Sequence, residues 1–92
     1  YLVLSPLTYM AKVDKQDITS VHTAITETLN DYKENDEAKY KECTEKLNWT
    51  SRSSTNADLT IISIIRNNPD AIEEVLPAEK YSEIEGSLNR IP

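Results

Sequence analysis

Few side chains in this sequence have the chemistry of a nucleophile, a general base or a metal ligand. His22 is the only histidine of the 92 residues, and nothing in the sequence supplies the orienting partner that acid–base catalysis needs. Cys43, the only cysteine, has Glu42 and Glu45 as near neighbours, whereas a nucleophilic thiol needs electropositive surroundings. We therefore interpret His22 as a surface or boundary residue and Cys43 as a core residue. The sequence predicts no enzyme and no catalytic, cofactor-binding or metal-binding site.

Carboxylates are the one chemical group that the sequence concentrates. Residues 70–85 contain six acidic side chains and one lysine, and so carry −5 of the chain's net charge of −6. Like charges three or four residues apart on a helix cost roughly a few tenths of a kcal/mol per pair, so stability does not explain them. They indicate either a solvated face that keeps the protein soluble or a surface that attracts a basic partner. A calcium loop would need a glycine and alternating Asp or Asn, which the segment lacks. The predicted partner-binding residues are Asp70, Glu73, Glu74, Glu79, Glu83 and Trp49.

Trp49 ends a predicted helix beside a polar loop. Its two alternatives are a partly buried residue at the edge of the core and an exposed anchor for a partner. Asn48-Trp49-Thr50 also matches the acceptor pattern for N-glycosylation, which has meaning only in a secreted chain. The single cysteine excludes a disulfide within the chain and favours a reducing, intracellular compartment.

Charge and hydropathy narrow the class of partner. The lysines are scattered through an acidic chain, whereas binding to a phosphate backbone or to an anionic membrane surface needs clustered Lys and Arg. The longest apolar run, residues 59–65, is far shorter than a membrane span. The sequence therefore predicts another protein as the partner, with no direct contact to nucleic acid or membrane.

Helical spacing of apolar residues predicts the elements that position these side chains. A first helix over 17–32 and a second over 36–49, capped by Asp36, follow from apolar positions three or four apart. A third over 57–68 is apolar nearly all round, with Thr55 and Asp58 as its capping box; a buried strand is the competing interpretation. A fourth spans 69–76 with Asn68 as N-cap, and a fifth starts at Pro77 and contains Gly86, which suggests a close helix crossing.

These observations predict an all-α fold: a compact bundle of four to five helices with a central apolar helix near 57–68. Residues 1–92 form one domain, in which 1–13 are an apolar extended lead-in and 50–56 a polar loop. The predicted function is a non-enzymatic regulatory or adaptor domain that binds a protein with a basic surface. One alternative is an acidic inhibitor that imitates the charge of DNA. Another is a helical subdomain excised from a larger enzyme, since residue 1 is not Met. A homodimer is a further alternative, because the thin apolar stripe of the second helix would leave surface uncovered.

Overall fold

The computed structural model describes residues 15–91, which contain five α-helices and no β-strand. The predicted all-α bundle is therefore confirmed. The predicted lead-in, 1–13, lies outside the described residues. None of the described helices is long and apolar enough to cross a membrane. The helices are α1 (Lys15–Asn35), α2 (Glu37–Leu47), α3 (Ala57–Asn67), α4 (Asp70–Val75) and α5 (Ala78–Arg90).

The longest helix, α1, packs against α2, α3 and α5. It buries Ile18, Val21, Ile25 and Leu29, the apolar stripe on which its prediction rests. The helix begins two residues before the predicted start and ends three residues after the predicted end. The added residues are polar, so they carry no apolar signal, but Lys, Gln and Glu among them are good helix formers and continue the helix.

The helix α3 is the apolar element predicted near 57–68, and it packs against α1 and α4. Ile61 is fully buried and Ile64 nearly so, while Ile62 and Ile65 are half-buried. Leu59 is 67% exposed on the opposite side of the helix. A strand would place Leu59 and Ile61 on one face, since side chains alternate along it. The competing strand interpretation is therefore wrong.

The start of α2 is capped as predicted. The Asp36 carboxylate accepts a hydrogen bond from the backbone N–H of Lys39 at 3.2 Å. At its other end the helix stops at Leu47, two residues short of the predicted end. Asn48 takes the left-handed conformation (φ 55°) and its N–H bonds back to the last turn. Asn tolerates this conformation better than most residues and so ends the helix there.

The cap of α3 differs from the prediction. Asn56, not Thr55, is the N-cap, and its side chain accepts from the backbone N–H of Leu59 at 3.4 Å. The Thr55 hydroxyl instead donates to the carbonyl of Arg52 at 3.1 Å, within the turns of the polar loop. The predicted capping box with Asp58 is therefore wrong, because a local side-chain–backbone bond occupies the threonine.

Two further details of the chain near α4 and α5 correct the prediction. The helix α4 begins at Asp70 with Pro69 at the N-cap position, and no side chain caps it. Asn68 contributes its carbonyl, which accepts the N–H of Ala71 at 3.1 Å. Gly86 marks no close helix crossing, because it is exposed and a Cβ there would meet only a guanidinium nitrogen of Arg90, at 3.6 Å.

An ion pair between distant parts of the chain joins α5 to the start of α1. The Arg90 guanidinium donates through Nε and Nη2 to both oxygens of the Asp17 carboxylate, at 2.8–3.1 Å. The Asp17 side chain is only 8% exposed, and Ser87 also lies beside the pair. The hydrogen bonds from Arg90 hold the pKa of Asp17 below its usual range, against the opposing effect of its burial. The pair thus fixes where α5 lies along α1.

Candidate functional site

Three carboxylates from two helices lie close enough to half-buried Tyr81 for their charges to act on its phenol. Asp70 and Glu73 belong to α4, and Glu85 follows Tyr81 by one helical turn on α5. The pKa of the Tyr81 phenol is raised, first because the group is withdrawn from water and then because Glu73, Glu85 and Asp70 place negative charge near it. We call Asp70, Glu73 and Glu85 the acidic cluster. All three are exposed, and no cation of residues 15–91 forms an ion pair with them.

Glu83 lies in a different setting, on the side of α5 that faces α1. Lys80 Nζ is 2.7 Å from Glu27 Oε1, and this hydrogen bond raises the pKa of Lys80, assisted by the charges of Glu83 and Asp31. Glu83 also lines a groove of about 530 Å³ between α1 and α5, together with Lys80 and Glu27. A lysine therefore compensates part of the negative charge around Glu83.

Glu74 and Glu79 complete the predicted acidic set. Glu74 points toward α2, where its carboxylate is 3.8 Å from Lys46 Nζ. Both side chains of this pair are about half exposed, so the pair contributes little to stability. Glu79 is exposed in the first turn of α5. The predicted acidic face is thus divided: Asp70 and Glu73 come together, while Glu74 and Glu83 lie on other sides of the bundle.

Trp49 lies apart from the acidic residues, against α1. Its indole stacks on the His22 ring, with centroids 5.3 Å apart and an angle of 30° between the planes. His22 Nε2 lies 2.7 Å from the Ser53 carbonyl oxygen, so this nitrogen carries a proton and donates it. Ser53 is buried, and its hydroxyl accepts from the backbone N–H of Thr50 at 3.0 Å. The histidine thereby fastens the polar loop to α1, and its prediction as a boundary residue is confirmed.

Cys43 is 4% exposed within the core. Burial raises the pKa of its thiol, with Lys39 as the largest opposing influence, so the group stays protonated near neutral pH. The prediction of a core cysteine is confirmed. Within residues 15–91, no three of the His, Cys, Asp and Glu side chains are arranged to hold a metal ion.

The predicted partner-binding residues did not include Tyr81 or Glu85, although two signals in the sequence bear on their positions. Glu85 follows Tyr81 by four residues, so helical spacing alone places both on one side of α5. By contrast, Glu83 and Glu85 are two residues apart, about 200° around a helix, and therefore face different ways. The His22–Trp49 stack has no comparable signal, because its partners are 27 positions apart in the chain.

Comparison of the chain with family models, with curated proteins and with solved structures gave no match.

Proposed function

We propose that this protein is a non-enzymatic regulatory or adaptor module that binds a basic surface of another protein through the acidic cluster. The observation that carries the proposal is the presence near Tyr81 of three exposed carboxylates, Asp70, Glu73 and Glu85, none of which forms an ion pair within residues 15–91. The three carboxylates place exposed negative charge on α4 and α5, and such charge attracts a basic surface.

The chemistry of the cluster suits recognition of a folded basic surface. Tyr81 is half-buried, so its ring offers an apolar contact while its hydroxyl retains a polar one. Tyrosine is enriched among the residues that dominate binding energy at interfaces. The surrounding carboxylates exclude acidic partners and accelerate association with basic ones. Lysine and arginine side chains on the partner are therefore the expected contacts.

The test is capture of partners from the source cells with a variant in which the acidic cluster is neutralised. Asp70→Asn, Glu73→Gln and Glu85→Gln together remove three negative charges from exposed positions that make no ion pair within residues 15–91. Capture is repeated at about 0.1 M and about 1 M salt, because the Debye length falls from about 10 Å to about 3 Å over that range. We expect a basic partner that binds the unaltered protein at low salt and is lost in the variant and at high salt.

The matched control neutralises three exposed carboxylates elsewhere, with the same change in net charge. Glu34→Gln, Glu42→Gln and Glu45→Gln serve, since all three are exposed on α1 and α2 and make no ion pair among the described residues. The control should retain the partner. Equal recovery of every captured protein by the cluster variant and the control would contradict the proposal.

The same capture separates an adaptor from an inhibitor that imitates DNA. An inhibitor of this kind competes with DNA for its partner's binding site. If duplex DNA releases the captured partner, that inhibitor is the better description. If DNA has no effect, the partner is recognised in its own right.

A further inference from the structure

A second surface of the molecule has the features of a small-ligand site, on the side of α1 that faces α2 and the polar loop. It is a cleft of about 350 Å³, a volume within the range of ligand pockets. We call it the Trp49 cleft. It has two aromatic side chains, one lysine and several hydroxyl and amide groups in its walls. Its walls include Thr26, Asn30, Lys33, Tyr40, Trp49 and Ser54.

The aromatic walls of the cleft are held in place before any ligand binds. His22 stacks on Trp49 and is not itself among the residues that line the cleft, so the histidine helps to hold the indole in place. Tyr40 is half-buried against the core, and Lys33 Nζ lies 6.0 Å from the centre of its ring. A preformed wall reduces the ordering cost of binding.

The polar walls of the cleft contain side-chain groups that form no hydrogen bond within residues 15–91. Asn30 and Ser54 are exposed and form no side-chain hydrogen bond within residues 15–91. The Thr26 hydroxyl oxygen is buried and has no hydrogen-bond partner in the described structure. Such orphaned groups are uncommon, because each costs free energy. Because the Thr26 oxygen is closed to solvent, Asn30 and Ser54 are the groups among these three that are open to a ligand.

The geometry points to a sugar residue with one anionic group as the ligand of the Trp49 cleft. The C–H face of a sugar ring is apolar and stacks on an aromatic side chain, while its hydroxyls pair with amide and hydroxyl groups such as those of Asn30 and Ser54. Lys33 is the only charged side chain in the cleft walls, and its ammonium would pair with a carboxylate or phosphate on the sugar. This site is independent of the acidic cluster.

The experiment is an NMR titration that follows the indole N–H resonance of Trp49, the only tryptophan. The probes are glucuronate, glucose 6-phosphate, neutral glucose and inorganic phosphate. We expect saturable shifts with a dissociation constant on the order of 1 mM for the anionic sugars, a usual affinity for ligands of this size. Glucuronate and glucose 6-phosphate distinguish a carboxylate from a phosphate as the anionic group.

Two lysine variants form the matched pair for this experiment. Lys33→Gln should weaken binding of the anionic sugars about tenfold and leave that of glucose unchanged, since a charge-assisted hydrogen bond is lost. Lys39→Gln is the control: Lys39 lies 5.3 Å from the Tyr32 ring in a similar arrangement, but outside the cleft walls. This variant should bind like the unaltered protein.

Three results would overturn the assignment. The first is the absence of any saturable shift up to about 50 mM sugar, well above the expected dissociation constant. The second is an equal effect of Lys33→Gln and Lys39→Gln. The third is an equal response to inorganic phosphate and glucose 6-phosphate, which would show that the sugar ring adds nothing.

Discussion

Ile61 and Leu59 offer the sharpest test of the packing of α3, because they lie two residues apart and differ completely in exposure. Ile61 is fully buried, so Ile61→Val removes one methylene from a filled site and should lower the free energy of unfolding by about 0.5–1.5 kcal/mol. For a domain of this size, each kcal/mol corresponds to a fall in Tm of roughly 4–8 °C. Leu59→Ala removes three carbon atoms from a side chain that is 67% exposed, and should change stability by less than about 0.5 kcal/mol.

The assay is urea unfolding, followed both by far-UV circular dichroism and by the fluorescence of Trp49. The two signals should give one midpoint in each variant if unfolding is two-state. The refuting result is a loss of stability in Leu59→Ala equal to or greater than that in Ile61→Val. That result would mean that the outer face of α3 is buried and that the helix is oriented differently.

Three other substitutions have definite expected outcomes. Gly86→Ala should raise the free energy of unfolding by about 0.5–1 kcal/mol, because Gly86 lies inside α5 and a Cβ there meets only an ordinary contact. Asp17→Asn should destabilise the protein near neutral pH. Because Arg90 lowers the pKa of Asp17, this contribution is complete above about pH 4, the usual range for Asp, and is lost as pH falls through the lower folded value. His22→Ala should speed tryptic cleavage within the loop 50–56 severalfold, because the stack and the hydrogen bond together contribute about 1–2 kcal/mol.

For each of these three substitutions, one result would contradict the expected outcome. For Gly86→Ala, a Tm equal to or below that of the unaltered protein would contradict the prediction. It would mean that a Cβ at position 86 is strained, whereas the structure shows only an ordinary contact there. For Asp17→Asn, the difference in stability from the unaltered protein should shrink in acid, and a constant difference would mean that the ion pair does not govern it. For His22→Ala, an unchanged cleavage rate would mean that the loop is held by other contacts.

The helices were predictable because the core signal is local. Apolar residues at spacings of three and four appear in α1 and α5, and these helices lie where the spacing places them. Asp36 was predictable as a cap for the same reason, since its partner is three residues away. The role of Thr55 was predicted wrongly, because its hydroxyl donates to the carbonyl of Arg52 and does not cap α3.

The arrangement of the sites was less predictable, because it depends on contacts between distant segments. Asp17 and Arg90 are 73 positions apart, and His22 and Ser53 are 31 apart. How the carboxylates of α4 lie relative to those of α5 depends on the turn at Leu76 and Pro77 and on the packing of each helix against the bundle. Neither follows from spacing within one helix. Composition thus predicted an acidic region, whereas only the fold separates Asp70 and Glu73 from Glu83.

The most direct test of the proposed function places a photo-crosslinking phenylalanine analogue at Tyr81 in the source cells. Tyr40 on α2, also half-buried and aromatic, takes the same analogue as the control. The proposal predicts a crosslinked adduct with a basic protein from position 81 and none from position 40, and the adduct should disappear when the acidic cluster is neutralised. Absence of an adduct at position 81, or the same adduct from both positions, would contradict it.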